Sequence, residues 1–366
     1  MLLEEQVQVL EVTEVSREVI HLKTSGGAGR AILYRRLCRD ASVGDWVIVN
    51  TTAVYLHLGT GGWDIVRTVL PENEGNETSL KEKPDGHIMK LRYLGDQHSV
   101  LALEAPESDE HGLFKNRLSL KNKHVLIGEL HSMLIIVWFL LSSKKPLVAV
   151  ISDEASLPLP VSRNLEYLHH QPGFYSLTAG QAFGGKGEVI NVATGLQYAA
   201  EKFPDAAVMV TLGPGAAGTG TIYGYSGLAQ AEWANLTGSF GGTPVWIPRL
   251  SDADKRKRHQ GISHHTVTPL TELTYAKSVL PLPSGTYSDP LLKVGEGKLS
   301  NYPHIRMEKI AEDKLWPKLD AVQKMSPFPL TSMGRTMDKD PLFFLGVAAA
   351  VHWYLEAELL HHSANV

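Results

Sequence analysis

The chain has 366 residues, 43% hydrophobic and 20% charged, with a formal net charge of -4 and a single cysteine, Cys38. This composition is ample for a sizeable core and makes long disorder unexpected. It excludes an intrachain disulfide and any zinc site built from several cysteines. It also supplies no global positive field for nucleic acid or an anionic membrane, so nucleic acid is not an expected partner.

The opening residues, MLLEEQVQVLEV, turn acidic at once and lack the basic segment and apolar core of an export signal, so a cytoplasmic location is expected. From Gln6 to about Pro106, the pieces QVQVLEV, AILYRR, DWVIVN, HIMKLRY and SVLALEA alternate apolar and polar residues at strand length. They predict a small antiparallel β-barrel over residues 1–118. Within it, PENEGNETSLKEKPD at 71–85 reads as a mobile loop, Lys90 and Arg92 read as one strand face, and Glu107 to Asn122 reads as a linker.

Beyond Lys123 the rhythm becomes strand then helix, repeated, which predicts a doubly wound, mostly parallel, Rossmann-like α/β domain over 119–366. HVLIGEL, PLVAVIS, YSLTAG, AAVMVTL and TPVWIPRL are its first five strands. Ala229, Trp233, Leu236 and Phe240 mark a helix, with Ser226 as N-cap and Gly241-Gly242 as stop. A further helix is expected near Leu270, a strand at Val279 to Leu282, and a last helix from about Leu342 to Leu360. The apolar runs Met133 to Leu141 and Leu342 to Val351 fall short of the ~18–20 residues that cross a bilayer and read as core helices, so no membrane is expected as a partner.

Ligands of open α/β sheets bind outside the carboxyl ends of the strands. Here those ends read GELHS, SDEAS, TAGQAFGGKG, GPGAAGTGT and RLSDADKRKRHQGISHH, all polar, glycine-rich or basic. The opposite ends are short and turn-like. Gly213, Gly215 and Gly218 spell G-x-G-x-x-G, yet no helix can begin directly after Gly218, and no acidic residue ends the next strand about 20 positions on. NAD is therefore disfavoured. An anion-binding loop is preferred, formed by Gly213, Gly215, Gly218, Thr219, Gly220 and Thr221, with Lys186, Arg249 and Arg258 as counter-charge. His131, Asp153, His264 and His265 are the candidates for acid-base chemistry. The same histidines leave a divalent metal open, as the loop leaves a nucleotide open, although no standard ligand spacing appears.

The stretches NTTAVYLHLGTGG, GHIMKLRY, LALEAPES, GELHS, TAGQAFGG, LGPGAAGTGT, YGYSG and RLSDADKRKRHQGISHHT together resemble a bacterial family, the domain of unknown function DUF3866. The resemblance spans nearly the whole chain, weakening after about Gly285 and in the 71–85 insertion. It implies a full-length bacterial protein and carries over no catalytic roles. The expected function is an enzyme, a hydrolase or group transferase, acting on a small phosphorylated or carboxylated anion. A non-catalytic binding or sensing protein is the alternative, and nucleic-acid binding through the barrel a further one. A homodimer is the expected assembly.

Overall fold

The computed structural model describes residues 2–57, 60–70, 86–141 and 144–364; the loop expected at 71–85 lies outside the described residues. The chain divides into two compact units, one of residues 1–100 with 160–166, the other of residues 101–159 with 167–366.

In the first unit, β1 (Glu4–Glu14), β2 (Val19–Thr24), β3 (Arg30–Tyr34), β4 (Trp46–Asn50) and β5 (Asp64–Val69) close a barrel in the order β1-β2-β3-β5-β4. A short helix, α1 (Thr52–Tyr55), joins β4 to β5. Every pair is antiparallel except β3 with β5, which gives the topology of an OB-type barrel. Val7 and Val9 of β1, Ile20 and Leu22 of β2, and Ala31 and Leu33 of β3 alternate into its core. On the outer face, Val19, Ile32 and Tyr34 pack with Val161. The pieces HIMKLRY and SVLALEA, expected as barrel strands, instead supply β6 (Ile88–Lys90) and β7 (His98–Val100), which pair only with each other. Lys90 is 1% exposed, whereas Arg92 lies beyond the strand end, so they share no strand face.

The second unit is built on an eight-stranded, fully parallel sheet. Its strands and helices follow as β8 (His124–Gly128), α2 (His131–Leu141), β9 (Leu147–Ser152), α3 (Arg163–His169, of which residues up to Glu166 are counted with the first unit), β10 (Phe174–Thr178), β11 (Gly187–Glu188), α4 (Val192–Lys202), β12 (Ala207–Leu212), α5 (Gln230–Ser239) and β13 (Thr243–Ile247). A two-residue ribbon, β14 (Leu250–Ser251) with β15 (Gly261–Ile262), precedes α6 (His264–Thr268). The unit ends with β16 (Ser278–Ser284), α7 (Ser288–Leu299), β17 (Ile305–Ala311), α8 (Glu312–Met325) and α9 (Pro341–Ala364). Residues expected as a linker belong to this unit: Leu113, Phe114 and Leu118 pack on its core, and Gln197 Nε2 donates to Asn116 O at 2.8 Å.

Helices cover both faces, so β8, β9 and β12 are buried along their whole length and read as continuous apolar runs. Val125, Ile127, Val148, Val150, Val208 and Val210 form one core face with Leu196 and Ala199 of α4 and Trp233 of α5. Helices α2, α8 and α9 pack on one another. By length and composition, Pro341–Leu360 is apolar enough to cross a membrane, but 72% of the 18-residue apolar window within it is buried inside the protein, as in a core helix.

The sheet order is β11-β10-β9-β12-β8-β13-β16-β17. The chain leaves β8, skips a place to β9, returns through β12 into the gap, and crosses to β13 on the far side. The carboxyl ends of β12, β8 and β13 are therefore neighbours at the point where the winding reverses, the usual place for ligands in open α/β sheets.

Candidate functional site

Glu129 follows the last residue of β8 and is 2% exposed. Its Oε1 accepts hydrogen bonds from Nη1 of Arg249, two residues beyond β13, at 3.0 Å, and from Nδ1 of His265 at 2.5 Å. Burial works against the charge on Glu129, but the His265 hydrogen bond and the Arg249 charge outweigh it and hold its pKa below the ordinary carboxylate value. Its Oε2 is also buried and has no hydrogen-bond partner among the described residues. Gly227 makes the room: a Cβ there would lie 2.6 Å from Glu129 Cγ and 2.7 Å from Oε1.

The ribbon β14–β15 folds the chain back so that Ser263 N–H donates to Arg249 O at 2.9 Å. Ser263 then caps α6, its Oγ accepting from His265 N–H at 3.1 Å, and the same Oγ lies 2.7 Å from Nδ1 of the buried His259. His259, His264 and His265 are thus forced together, with ring centroids 4.3 to 5.0 Å apart. One ring nitrogen from each lies within 4.8 Å of the other two, so these three side chains could hold a metal ion. Nε2 of His264 is buried without a hydrogen-bond partner among the described residues. Burial and then neighbouring charge push His259 down to about 3 and His264 to about 4, so both rings are neutral at physiological pH. Tyr225 covers the third ring, stacked on His265 at 3.7 Å and 3°.

The glycine-rich loop leaves β12 and reaches this cluster. Gly218 bridges to Tyr225, and a Cβ on Gly218 would meet His265 Cε1 at 4.0 Å. Gly215 and Gly220 have φ of 77° and 78°, which glycine adopts without strain. A Cβ at Gly220 would lie 3.4 Å from the Arg258 guanidinium, and one at Gly213 would lie 2.9 Å from Ser156 O. The hydroxyls of Thr219 and Thr221 are 2.9 Å apart and tie the loop to itself: Thr219 Oγ1 donates to Gly224 O, and Thr221 Oγ1 accepts from Gly224 N–H. Ser226 does not cap the following helix; its Oγ accepts from Ala217 N–H within the loop, and a 3-10 turn leads into α5.

Alongside lies a cavity of 580 Å³, whose lining includes Lys257, Arg258, His264, Glu272 and Lys298. None of the three cations forms an ion pair among the described residues, and Glu272 accepts from Tyr223 Oη at 2.6 Å. The structure thus brings together Arg258, His264, His265 and the Gly218 to Thr221 segment, while Arg249 spends its charge on Glu129.

The other expected residues sit elsewhere. Lys186 Nζ donates at 2.9 Å to the carbonyl of Phe174, the first residue of β10, at the amino end of that strand. Asp153 accepts from Gln181 N–H at 2.7 Å beside Gly180, joining the loops after β9 and β10. His131 opens α2 with Nδ1 3.4 Å from Leu212 O, and burial lowers it to about 4. The residue pattern places Glu129 and His259 at strand ends without giving either a role, and does not single out Tyr225. Glu129 and His259 do lie in the strand-end stretches GELHS and KRKRHQG, which is the signal that could have found them.

A family model described as Protein of unknown function (DUF3866) matches residues 30–351. The chain belongs to this family. The match takes in all three strand ends that build the cluster, from Glu129 to His265. A search of curated proteins finds no match to the chain.

Proposed function

We propose that the chain is an enzyme, a hydrolase or group transferase, acting on a small phosphorylated or carboxylated molecule at the carboxyl ends of β8, β12 and β13. The observation that supports this reading is the meeting of Arg258, unpaired among the described residues, with the glycine-rich loop and His264 beside one cavity. Lys257, Arg258 and Lys298 attract the anion, and His264 lines the cavity wall beside them. Glu129, Arg249 and Tyr225 hold His265 and thereby its neighbour in place.

Calorimetric titration with inorganic phosphate, pyrophosphate and small dicarboxylates tests the reading. At least one anion should bind, with Arg258→Ala weakening it about 10- to 100-fold, as expected for one charge-assisted hydrogen bond. Lys186→Ala should leave the affinity unchanged. Failure of every anion to bind, or equal binding by the Arg258 variant, would sink the proposal. An anion that binds through Arg258 but is never turned over makes the protein a binding or sensing module.

A further inference from the structure

We infer that His259, His264 and His265 form a site for one divalent transition metal of the zinc class, distinct in its chemistry from the anion contacts above. A neutral imidazole has one donor and one acceptor nitrogen, and which is which is fixed by the partner of either. His265 Nδ1 lies 2.5 Å from Glu129 Oε1, which can only accept, and 3.0 Å from Arg249 Nη1, which already donates to that same Oε1; the shorter carboxylate contact puts the proton on Nδ1 and leaves Nε2 its lone pair. Nδ1 of His259 is engaged by Ser263 Oγ, and among the described residues nothing bonds its Nε2. Nε2 of His264 is buried and, among the described residues, has no hydrogen-bond partner.

Three imidazoles thus converge without a hydrogen bond among them. Ring packing alone does not account for this, because a buried nitrogen with no partner costs about 1–3 kcal/mol. A cation between the nitrogens removes that cost. The carboxylate–histidine pair of Glu129 and His265 is the outer-shell arrangement that fixes a ligating imidazole and raises its basicity. Ser263 Oγ, 2.7 Å from His259 Nδ1, accepts the Nδ1 proton when His259 offers Nε2 to the ion. Nitrogen donors favour zinc and its first-row neighbours over magnesium or calcium, which take oxygen ligands. Three protein ligands leave at least one coordination position for water or another small ligand, the donor count of a catalytic zinc site.

The test is to strip the full-length protein with chelator, dialyse it, and titrate it with Zn2+ and Co2+ alone, without any anion. One ion per chain is expected, with the visible absorption of Co2+ in a nitrogen-ligated site of low coordination number. His264→Ala should abolish stoichiometric binding. Glu129→Gln, which acts through His265, should weaken it about 10- to 100-fold while keeping one ion per chain. His131→Ala, outside the cluster, should bind as the parent does. If His264→Ala fails to fold, His264→Gln replaces it, with folding followed by circular dichroism. Absence of stoichiometric binding by the parent chain overturns the proposal, as does unchanged binding in the His264 variant. Because no anion is present, these results are independent of the anion reading.

Discussion

Each end of β8 takes part in a histidine–carboxylate pair, and the two pairs are built differently. At the amino end, His124 Nδ1 lies 3.0 Å from Glu358 Oε1, and Lys145 Nζ donates to Oε2 at 2.8 Å, so both carboxylate oxygens are engaged. Just past the carboxyl end, both donors crowd onto Glu129 Oε1 while Oε2 has no hydrogen-bond partner. The first pair closes α9 onto the sheet. The second trades complete satisfaction for holding one imidazole among two others. A polar network with one unmet group is expensive where only packing is at stake, and this supports the proposal of a ligand at the carboxyl end.

The largest effect should come from removing the second carboxylate. Glu129→Ala leaves Arg249 buried without its counter-charge, and chemical denaturation should show a loss of about 3–5 kcal/mol. A matching loss at Glu358, whose partner Lys145 can turn toward solvent, would erase the distinction between the two ends.

Gly227→Ala sharpens the same contrast sterically. Its Cβ would lie 2.6 Å from Glu129 Cγ, so the carboxylate must shift, with an expected cost of about 1–3 kcal/mol by denaturation. The shift should also disturb the His265 ring, visible as a change in its imidazole NMR signals. Undisturbed signals and full stability would show that Glu129 is not held as described.

The smallest effect concerns the first pair and pH. Burial disfavours the charge on Glu358, but hydrogen bonds from His124 and Lys145 prevail and bring its pKa from 4.5 down to about 2. A depressed carboxylate pKa stabilises the fold fully above 4.5 and loses that contribution as pH falls from there toward 2. Glu358→Gln should therefore flatten the acid limb of the stability curve, by an amount on the order of 1 kcal/mol once solvent screening is allowed for. An unchanged acid limb would deny the pair its stabilising role.

Much of this architecture was readable beforehand, for identifiable reasons. The strands from His124 to Ile247 announce themselves as apolar runs because both sheet faces are covered. The strand ends stand out because side chains there are released from packing. The barrel was harder. VIHLKT and DIVRTV, which form β2 and β5, are short and interrupted by charged residues on the outer face, and HIMKLRY alternates correctly without revealing which sheet it joins. The site was legible as a neighbourhood and not as a constellation. His264 and His265 stood out by chemistry, whereas Glu129 finds its partners 120 and 136 residues later, a pairing no local pattern encodes. Lys186 illustrates the converse: it follows β10 in sequence, yet the chain turns back to start β11 alongside that strand, so Lys186 N–H donates to Ser176 Oγ and its Nζ to the carbonyl of Phe174.

The place of β12 between β9 and β8 bears on how the molecule is made. Until residues 207–212 have left the ribosome, the two strands that will flank them have no partner on their facing sides. A nascent chain that ends earlier therefore exposes a strand-wide slot with two open, fully apolar edges, a template for pairing with another chain. The strand that fills the slot also delivers the glycine-rich loop. Its insertion is thus both the step that shields the half-built sheet from aggregation and the step that brings Gly218 and Tyr225 toward the end of β8.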